Sequence, residues 1–215
     1  MRDTGKLIED LATTAKPVKA LAPPLARAGV LLAGIIAVMA TVMAAFGGHV
    51  TETLAHLTSM PFTLELAGAL LAGVGAIVAA VTLSIPGRSQ TWSYLPLPGL
   101  ALWLAGGGLE CYRQVSDLGY TPVSLFDSSD CFFFIVGVGL PTAAVTYVFL
   151  RRHLPIDAVR VTALATLGSA LLAATLLQFV HAHGTNPIDF ATHIVAVVLL
   201  ILLTMTLARF DPRPR

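Results

Sequence analysis

The sequence predicts an all-α integral membrane protein: a bundle of six transmembrane helices with both termini in the cytoplasm and a short amphipathic helix before the first span. Three observations predict this fold. Hydrophobic residues make up 56% of the 215-residue chain and charged residues 12%, about half of the roughly 25% found in soluble domains. Six apolar runs are long enough to cross a bilayer, and the lysines and arginines lie almost entirely on one side of them.

The six apolar runs are predicted to be helices, because ~20 apolar residues in helical conformation cross a hydrocarbon core about 30 Å thick. None of the runs alternates polar and apolar residues, as the strands of a membrane barrel do. The first run is longer than the apolar core of a signal peptide, ~7–15 residues, so we expect it to remain as a span. Pro96 and Pro98 make the start of the third span the least regular. The predicted spans are residues 27–46, 63–85, 93–110, 131–150, 157–180 and 188–208.

The lysines and arginines set the predicted orientation, because positive charge next to a span stays on the cytoplasmic side. Twelve of the thirteen lie in the first 27 residues, around the connections after spans two and four, or after span six. Only Arg113 lies elsewhere, so both termini are predicted to be cytoplasmic. The chain divides into a cytoplasmic segment (1–26), a transmembrane domain (27–208) and a cytoplasmic tail (209–215). The formal net charge of +1 gives no indication of direct nucleic-acid binding.

The opposite side of the membrane collects most of the side chains that bind metals. Five of the six histidines are predicted to lie there, together with acidic residues and both cysteines. Imidazole and thiolate groups suit ions such as copper and zinc, and carboxylates add anionic oxygens. We therefore predict a transition metal as a signal, with no obligatory cofactor. The candidate metal ligands are His181, His183, His193, Cys131, His49, Glu52 and His56.

The spacing of these residues would bring some of them together. His49, Glu52 and His56 are separated by three and four positions, so a helix would place them on one face. His181 and His183 form an HxH pair, which extended backbone would point in one direction. Two alternatives are that the histidines lie in solvated polar loops and that they serve proton-linked transport.

Cys111 and Cys131 are candidate redox residues at the outer ends of spans three and four. A disulfide between them requires Cα atoms within about 7 Å, and an oxidising outer compartment would favour it. The alternative is that each cysteine is a small, buried apolar residue.

The interiors of the spans contain almost no ionisable residue, with Glu65 near the outer edge of span two. Transporters place charges or broken helices near the midplane, so this pattern disfavours transport. The chain also lacks a GxSG protease motif and the two cysteine pairs of a membrane thiol oxidase, so we predict that it is not an enzyme.

Small residues recur every four positions in three spans and predict close packing of helices. They are Gly29, Ala33, Ala37, Thr41 and Ala45 in span one, Gly68, Ala72, Ala76 and Ala80 in span two, and Thr162, Thr166, Ala170 and Ala174 in span five.

The segment before the first span has the features of a helix that binds a partner. Leu7, Ile8 and Leu11 form a short apolar face, and Pro17 ends any helix that contains them. A helix of ~12 residues is marginal alone in water, so we expect it to become ordered against a groove of another protein. The alternative is a helix anchored on the membrane surface.

The motifs LIEDLATTAKPVKALAPPLAR, SIPG at 84–87 and CFFFIVGVGLP at 131–141, with six spans and both ends inside, resemble the negative regulator of sigma F (NrsF) family. These proteins are anti-sigma factors of the bacterial inner membrane, and the resemblance covers the whole chain. It implies that the N-terminal segment holds an extracytoplasmic-function sigma factor, and that a heavy-metal or oxidative signal on the outer side releases it. The implied sigma-binding residues are Leu7, Ile8, Leu11, Pro17, Val18, Leu21 and Pro24.

The resemblance also implies two cysteines, one at the start of span four and one in the last outer loop. Cys131 matches the first, but Ala182 stands about where the second is expected, so a disulfide from Cys131 to that loop is impossible here. Either Cys111 takes its place or the histidines bind a metal signal. A second hypothesis, from another class of protein, is a small metal or solute transporter whose outer histidines collect the substrate.

Overall fold

The computed structural model of the chain describes residues 4–15, 21–117, 125–151, 157–180 and 186–210. All regular secondary structure in this described part is helical, and it has no β-strand. The helices are α1 (Thr4–Thr14), α2 (Pro24–Phe46), α3 (Val50–His56), α4 (Met60–Leu83), α5 (Leu97–Asp117), α6 (Leu125–Arg151), α7 (Ala158–Val180) and α8 (Pro187–Arg209), with a 3-10 helix at Gln90–Tyr94. The predicted all-α class is confirmed.

Five of these helices have the length and composition needed to cross a membrane. They are α2, α4, the Ser129–Arg151 part of α6, α7 and α8. The remaining long helix, α5, is not among them, and its last turns contain Glu110, Arg113 and Asp117. The five helices support the prediction of a membrane protein.

The predicted start of the third span at residue 93 is too early. Residues 90–94 form a separate 3-10 helix, which begins after Ser89. The α-helix starts only at Leu97, so Pro98 lies in its first turn. Proline is tolerated there because the N–H groups of the first turn have no partner within the helix.

Helices α4 and α5 are in close contact through their glycines. A Cβ added at Gly68 would lie 2.2 Å from the backbone nitrogen of Trp103, and one at Gly99 would lie 2.3 Å from that of Ala72. Ala72 and Ala76 on the same stripe of α4 are fully buried. The small residues predicted to pack span two are therefore confirmed in that role, because they let two backbones approach closely.

Helix α7 is the most enclosed of the five apolar helices. Its stripe of small residues is buried, with Thr166 1% exposed and Ala170 fully buried. The Thr166 and Thr204 hydroxyls share a hydrogen bond of 2.8 Å between α7 and α8. Gly168 faces α4, where an added Cβ would lie 2.9 Å from the backbone oxygen of Gly73. The predicted packing of span five is confirmed.

Helix α2 is attached to the bundle by one face only. Ala28, Leu31 and Ile35 are buried in a cluster shared with α4, α6 and α7. Its predicted packing stripe instead lies on the exposed side, and nothing lies within 4 Å of a Cβ built at Gly29. The prediction that this stripe packs against another helix of the bundle is therefore wrong for span one, because the buried face of α2 is formed by larger apolar residues.

The long helices alternate in direction, which gives the bundle two distinct ends. Glu65 at the start of α4 contacts Gln178 at the end of α7, and Arg27 at the start of α2 lies over Phe149 at the end of α6. We call one end the Arg-rich end, defined by Arg27, Arg88, Arg151, Arg160 and Arg209. We call the other the His-rich end, defined by α3, Glu65, Gln178, Asp189 and His193.

Candidate partner-binding helix and His-rich end

Helix α1 has an exposed apolar face, as predicted for a partner-binding segment. Leu7 is 48% exposed, Ile8 63% and Leu11 61%, and no residue of the helix is buried. The Thr13 and Thr14 hydroxyls donate hydrogen bonds of 3.0 and 2.7 Å to backbone carbonyls one turn earlier. These bonds lie within the helix and share carbonyls that also accept backbone N–H groups, which is a common arrangement for helical threonine. The apolar side of the helix is left uncovered by the described residues.

The other predicted sigma-binding residues follow α1 along the chain. Pro17 and Val18 lie outside the described residues. Leu21 is 56% exposed. Pro24 is the first residue of α2, where its fixed φ suits the start of a helix. Sequence reasoning assigned Pro24 to partner binding and did not predict that it opens the first apolar helix.

Helix α3 brings together two of the candidate metal ligands. His49 precedes the helix, and its Nδ1 lies 3.3 Å from a carboxylate oxygen of Glu52. The ring of His56 lies against Phe62, with 5.7 Å between ring centroids. The predicted proximity of His49 and Glu52 is thus confirmed, whereas the contact found for His56 is with an aromatic ring.

The start of α3 is fastened to the end of α7. The backbone N–H of His49 donates a 2.8 Å hydrogen bond to the carbonyl of Phe179. The Thr53 hydroxyl, in a side chain only 3% exposed, donates a 2.9 Å bond to the carbonyl of Gln178. Both acceptors come just before His181 in the sequence. The structure therefore joins α3, which follows one candidate metal ligand, to the residues that directly precede two others in the sequence.

A buried polar pair joins α4 to α7 beneath α3. The Gln178 side-chain amide donates a 3.2 Å hydrogen bond to the carboxylate of Glu65, and these side chains are 9% and 1% exposed. Helix α5 closes this site, because a Cβ added at Gly106 would lie 2.3 Å from the backbone nitrogen of Glu65. Sequence reasoning placed Glu65 at the edge of a span but missed Gln178. The sequence did offer one indication of Gln178, because it is a single polar amide near the end of an apolar run.

The start of α8 is fixed by a cap. The Asn186 side chain accepts hydrogen bonds of 2.9 Å from the backbone N–H groups of Ile188 and Asp189. One turn later, the ring of Phe190 packs against Trp103 of α5, with 5.5 Å between ring centroids. His193 follows on α8 and is only 3% exposed. This candidate ligand is therefore inside the bundle and away from the solvated surface.

The two cysteines belong to one apolar cluster. Cys131 is 8% exposed and lies in the core cluster that contains Ile135 and Phe190, and Cys111 is partly buried against the same cluster. Both thiols are free. The structure thus contains no disulfide between them, and their surroundings fit the predicted alternative of small buried residues. Their redox role stays a prediction.

Comparison with known proteins assigns the chain to a protein family. The family model described as "NrsF: Negative regulator of sigma F" matches residues 11–211. The chain belongs to the NrsF family. Searches of curated proteins and of solved structures gave no match. The resemblance found in the sequence motifs is therefore confirmed, and the family's description names a negative regulator of a sigma factor.

The NrsF match covers the bundle and part of the N-terminal segment. It begins at Leu11, so Pro17, Val18, Leu21 and Pro24 lie within it. Leu7 and Ile8 precede the match, although they form one apolar face with Leu11.

The predicted metal site of this NrsF chain is only partly described. His181 and His183 lie outside the described residues. Within the described ranges, no group of three His, Cys, Asp or Glu side chains is arranged to hold a metal ion. The ligand set that depends on His181 and His183 therefore stays a prediction.

Proposed function

We propose that this protein is an anti-sigma factor of the bacterial inner membrane, which holds an extracytoplasmic-function sigma factor through residues 1–26. The observation that carries the proposal is the exposed apolar face of α1 in a chain of the NrsF family. A soluble partner with an apolar groove would cover Leu7, Ile8 and Leu11 and order the segment around them.

The proposed topology has six crossings, with both termini in the cytoplasm. Helix α4 ends at the Arg-rich end and α6 begins at the His-rich end, so the chain must return through the bundle between them. Helix α5, packed antiparallel along α4, makes that return. The Arg-rich end faces the cytoplasm, because arginines and lysines next to spans stay on that side.

The proposed signal is a transition metal, such as copper or zinc, that reaches the His-rich end from the periplasm. His181 and His183 would bind it with His193, and Cys131 or the His49–Glu52 pair would add donors. The tie between α3 and the end of α7 supports this, because movement at residues 181–183 would act directly on α3 and α7. If the free energy of sigma-factor binding differed by about 2.7 kcal/mol between two states of the bundle, a switch between them would change sigma affinity ~100-fold.

Binding of a sigma factor is tested by co-purification from a bacterial host that expresses candidate sigma factors. The full chain should retain one of them, and a chain without residues 1–22 should not. The double variant Ile8→Ser, Leu11→Ser should also lose it, because its apolar face is reduced. The matched control is Lys6→Ser, Glu9→Ser, which changes the opposite face of α1 without changing net charge and should bind normally. Retention of the sigma factor by the deletion variant would refute the proposal.

The metal signal is tested on the purified complex by titration with copper or zinc. Release of the sigma factor should require His181 and His183, so the double alanine variant should keep its sigma factor at metal concentrations that empty the unmodified protein. His153→Ala is the control, because the sequence places His153 on the cytoplasmic side. An unchanged response in the double variant would exclude these histidines as ligands while leaving the anti-sigma role intact.

A further inference from the structure

An apolar groove runs between α2 and α6 and ends beside a buried arginine. The groove has a volume of about 460 Å³ and is lined by Gly34, Val38, Gly137, Pro141 and Phe149, among others. Gly34 and Gly137 create much of this space, since nothing lies within 4 Å of a Cβ built at either position. The groove is within the range of about 300–1,000 Å³ typical of pockets that enclose small molecules.

Arg27 is not one of the residues that line the groove, but it lies over Phe149, which lines the groove at its Arg-rich end. Its side chain is only 6% exposed, and its guanidinium carbon lies 5.8 Å from the centre of the Phe149 ring, which lines the groove. Its Nη1 and Nη2 atoms have no hydrogen-bond partner among the described residues. A buried guanidinium is stabilised only in part by an aromatic ring, and its planar N–H groups suit the oxygens of a phosphate.

We propose that this groove binds an anionic phospholipid, with one acyl chain along α2 and α6 and the headgroup phosphate on Arg27. Arg27 is the fourth residue of α2, about one turn inside the helix, and it is the first residue of the span predicted from the sequence, which places it near headgroup depth. Basic pockets between transmembrane helices at this depth bind anionic lipid headgroups. An apolar groove with a cation at one end matches an amphiphile better than it matches a second apolar helix.

The proposed lipid site would strengthen the attachment of α2. This helix has the smallest buried fraction of the five apolar helices and follows the N-terminal segment directly. A lipid held against both α2 and α6 would add contacts that α2 does not find within the chain. The site needs no sigma factor, so it is testable in the purified protein alone.

The test is native mass spectrometry of the full chain in detergent, titrated with dioleoyl phosphatidylglycerol or dioleoyl phosphatidylcholine. We expect phosphatidylglycerol to bind more tightly. Arg27→Gln should weaken phosphatidylglycerol binding roughly tenfold or more, because charged hydrogen bonds to the phosphate are lost, and should weaken phosphatidylcholine binding less, because the choline group of that lipid already neutralises its phosphate. Arg209→Gln, which removes an exposed arginine at the same end, should behave as the unmodified protein.

A second pair of variants tests the groove itself. Gly34→Leu should fill it and weaken binding of both lipids. Gly29→Leu is the matched control: Gly29 is also on α2 with open space around it but does not line the groove, so binding should be unchanged. This pair shows whether lipid occupies the groove even if Arg27→Gln fails to fold.

Three results would overturn the proposal. The first is equal binding of the two lipids by the unmodified protein, and the second is equal binding by Gly34→Leu and Gly29→Leu. The third is a change in oligomeric mass in Gly34→Leu without any loss of lipid, which would assign the groove to a second copy of the chain.

Discussion

Helices α2 and α7 have the same length and the same kind of sequence pattern, yet they occupy opposite positions in the bundle. Each has 23 residues, and each has small residues every four positions. In the most apolar stretch of α7, 78% of the residues are buried, whereas in that of α2 only 11% are buried. The comparison shows that a stripe of small residues permits close approach of a helix but does not specify which neighbour, if any, approaches.

The two helices also differ in what they connect. Helix α7 leads into His181 and His183 and accepts the hydrogen bonds that hold α3. Helix α2 follows the segment proposed to bind the sigma factor. The proposed signal therefore arrives at the most enclosed helix, while the proposed partner is attached to the least enclosed one.

The largest expected effect comes from filling a contact of α7. Gly168→Leu should destabilise the protein by about 3 kcal/mol or more, since a Cβ there already lies 2.8 Å from the Ile77 side chain and 2.9 Å from the Gly73 backbone oxygen. Gly29→Leu on α2 should cause no loss of stability, because a Cβ there meets nothing within 4 Å and leucine favours a helix more than glycine does. Unfolding in mixed micelles measures both. Equal losses would show that the exposed side of α2 is packed after all.

An intermediate effect is expected from the buried pair that joins α7 to α4. Gln178→Leu should cost about 1–3 kcal/mol, because it removes a hydrogen bond to the buried carboxylate of Glu65. Thr206→Val is the control, since it removes a hydroxyl bond within α8 at an exposed position. The same unfolding measurement compares them. If Gln178→Leu lost no more stability than the control, the hydrogen bond between Gln178 and Glu65 would contribute little to holding α7 against α4.

The smallest expected effect concerns the attachment of α3. Thr53→Val should cost about 0.5–1.5 kcal/mol, because it removes the hydroxyl that donates to the Gln178 carbonyl while keeping nearly the same shape. Thr41→Val on α2 also loses a hydroxyl hydrogen bond, but within its own helix and at an exposed position, and should cost less. Amide hydrogen exchange in α3 should rise only in Thr53→Val. Unchanged exchange would show that the backbone contacts alone hold α3.

The sequence predicted features that depend on local pattern. Apolar run length predicted the long helices, and the spacing of Leu7, Ile8 and Leu11 predicted α1 with its apolar face. The small residues of spans two and five predicted close packing. Small side chains let the backbones of two helices approach closely, whichever helix is the neighbour.

Features that depend on which helices are neighbours could not be predicted in this way. Glu65 and Gln178 are 113 positions apart, and nothing in the periodicity of either span pairs them. The same is true of Arg27 and Phe149, which lie on helices that the sequence leaves without assigned partners. The exposed position of the small-residue stripe on α2 could not be predicted either, because the larger apolar residues of α2 determine which face of the helix is buried against its neighbours.

The hydrogen bond from His49 to Phe179 has a consequence for genetics, because both of its atoms belong to the main chain. Every amino acid except proline supplies the same N–H donor. An alanine scan of the histidines would therefore remove the His49 imidazole and leave this anchor of α3 in place, whereas His49→Pro would remove both. Comparing His49→Ala with His49→Pro therefore separates the effect of losing the imidazole from the effect of losing the backbone hydrogen bond.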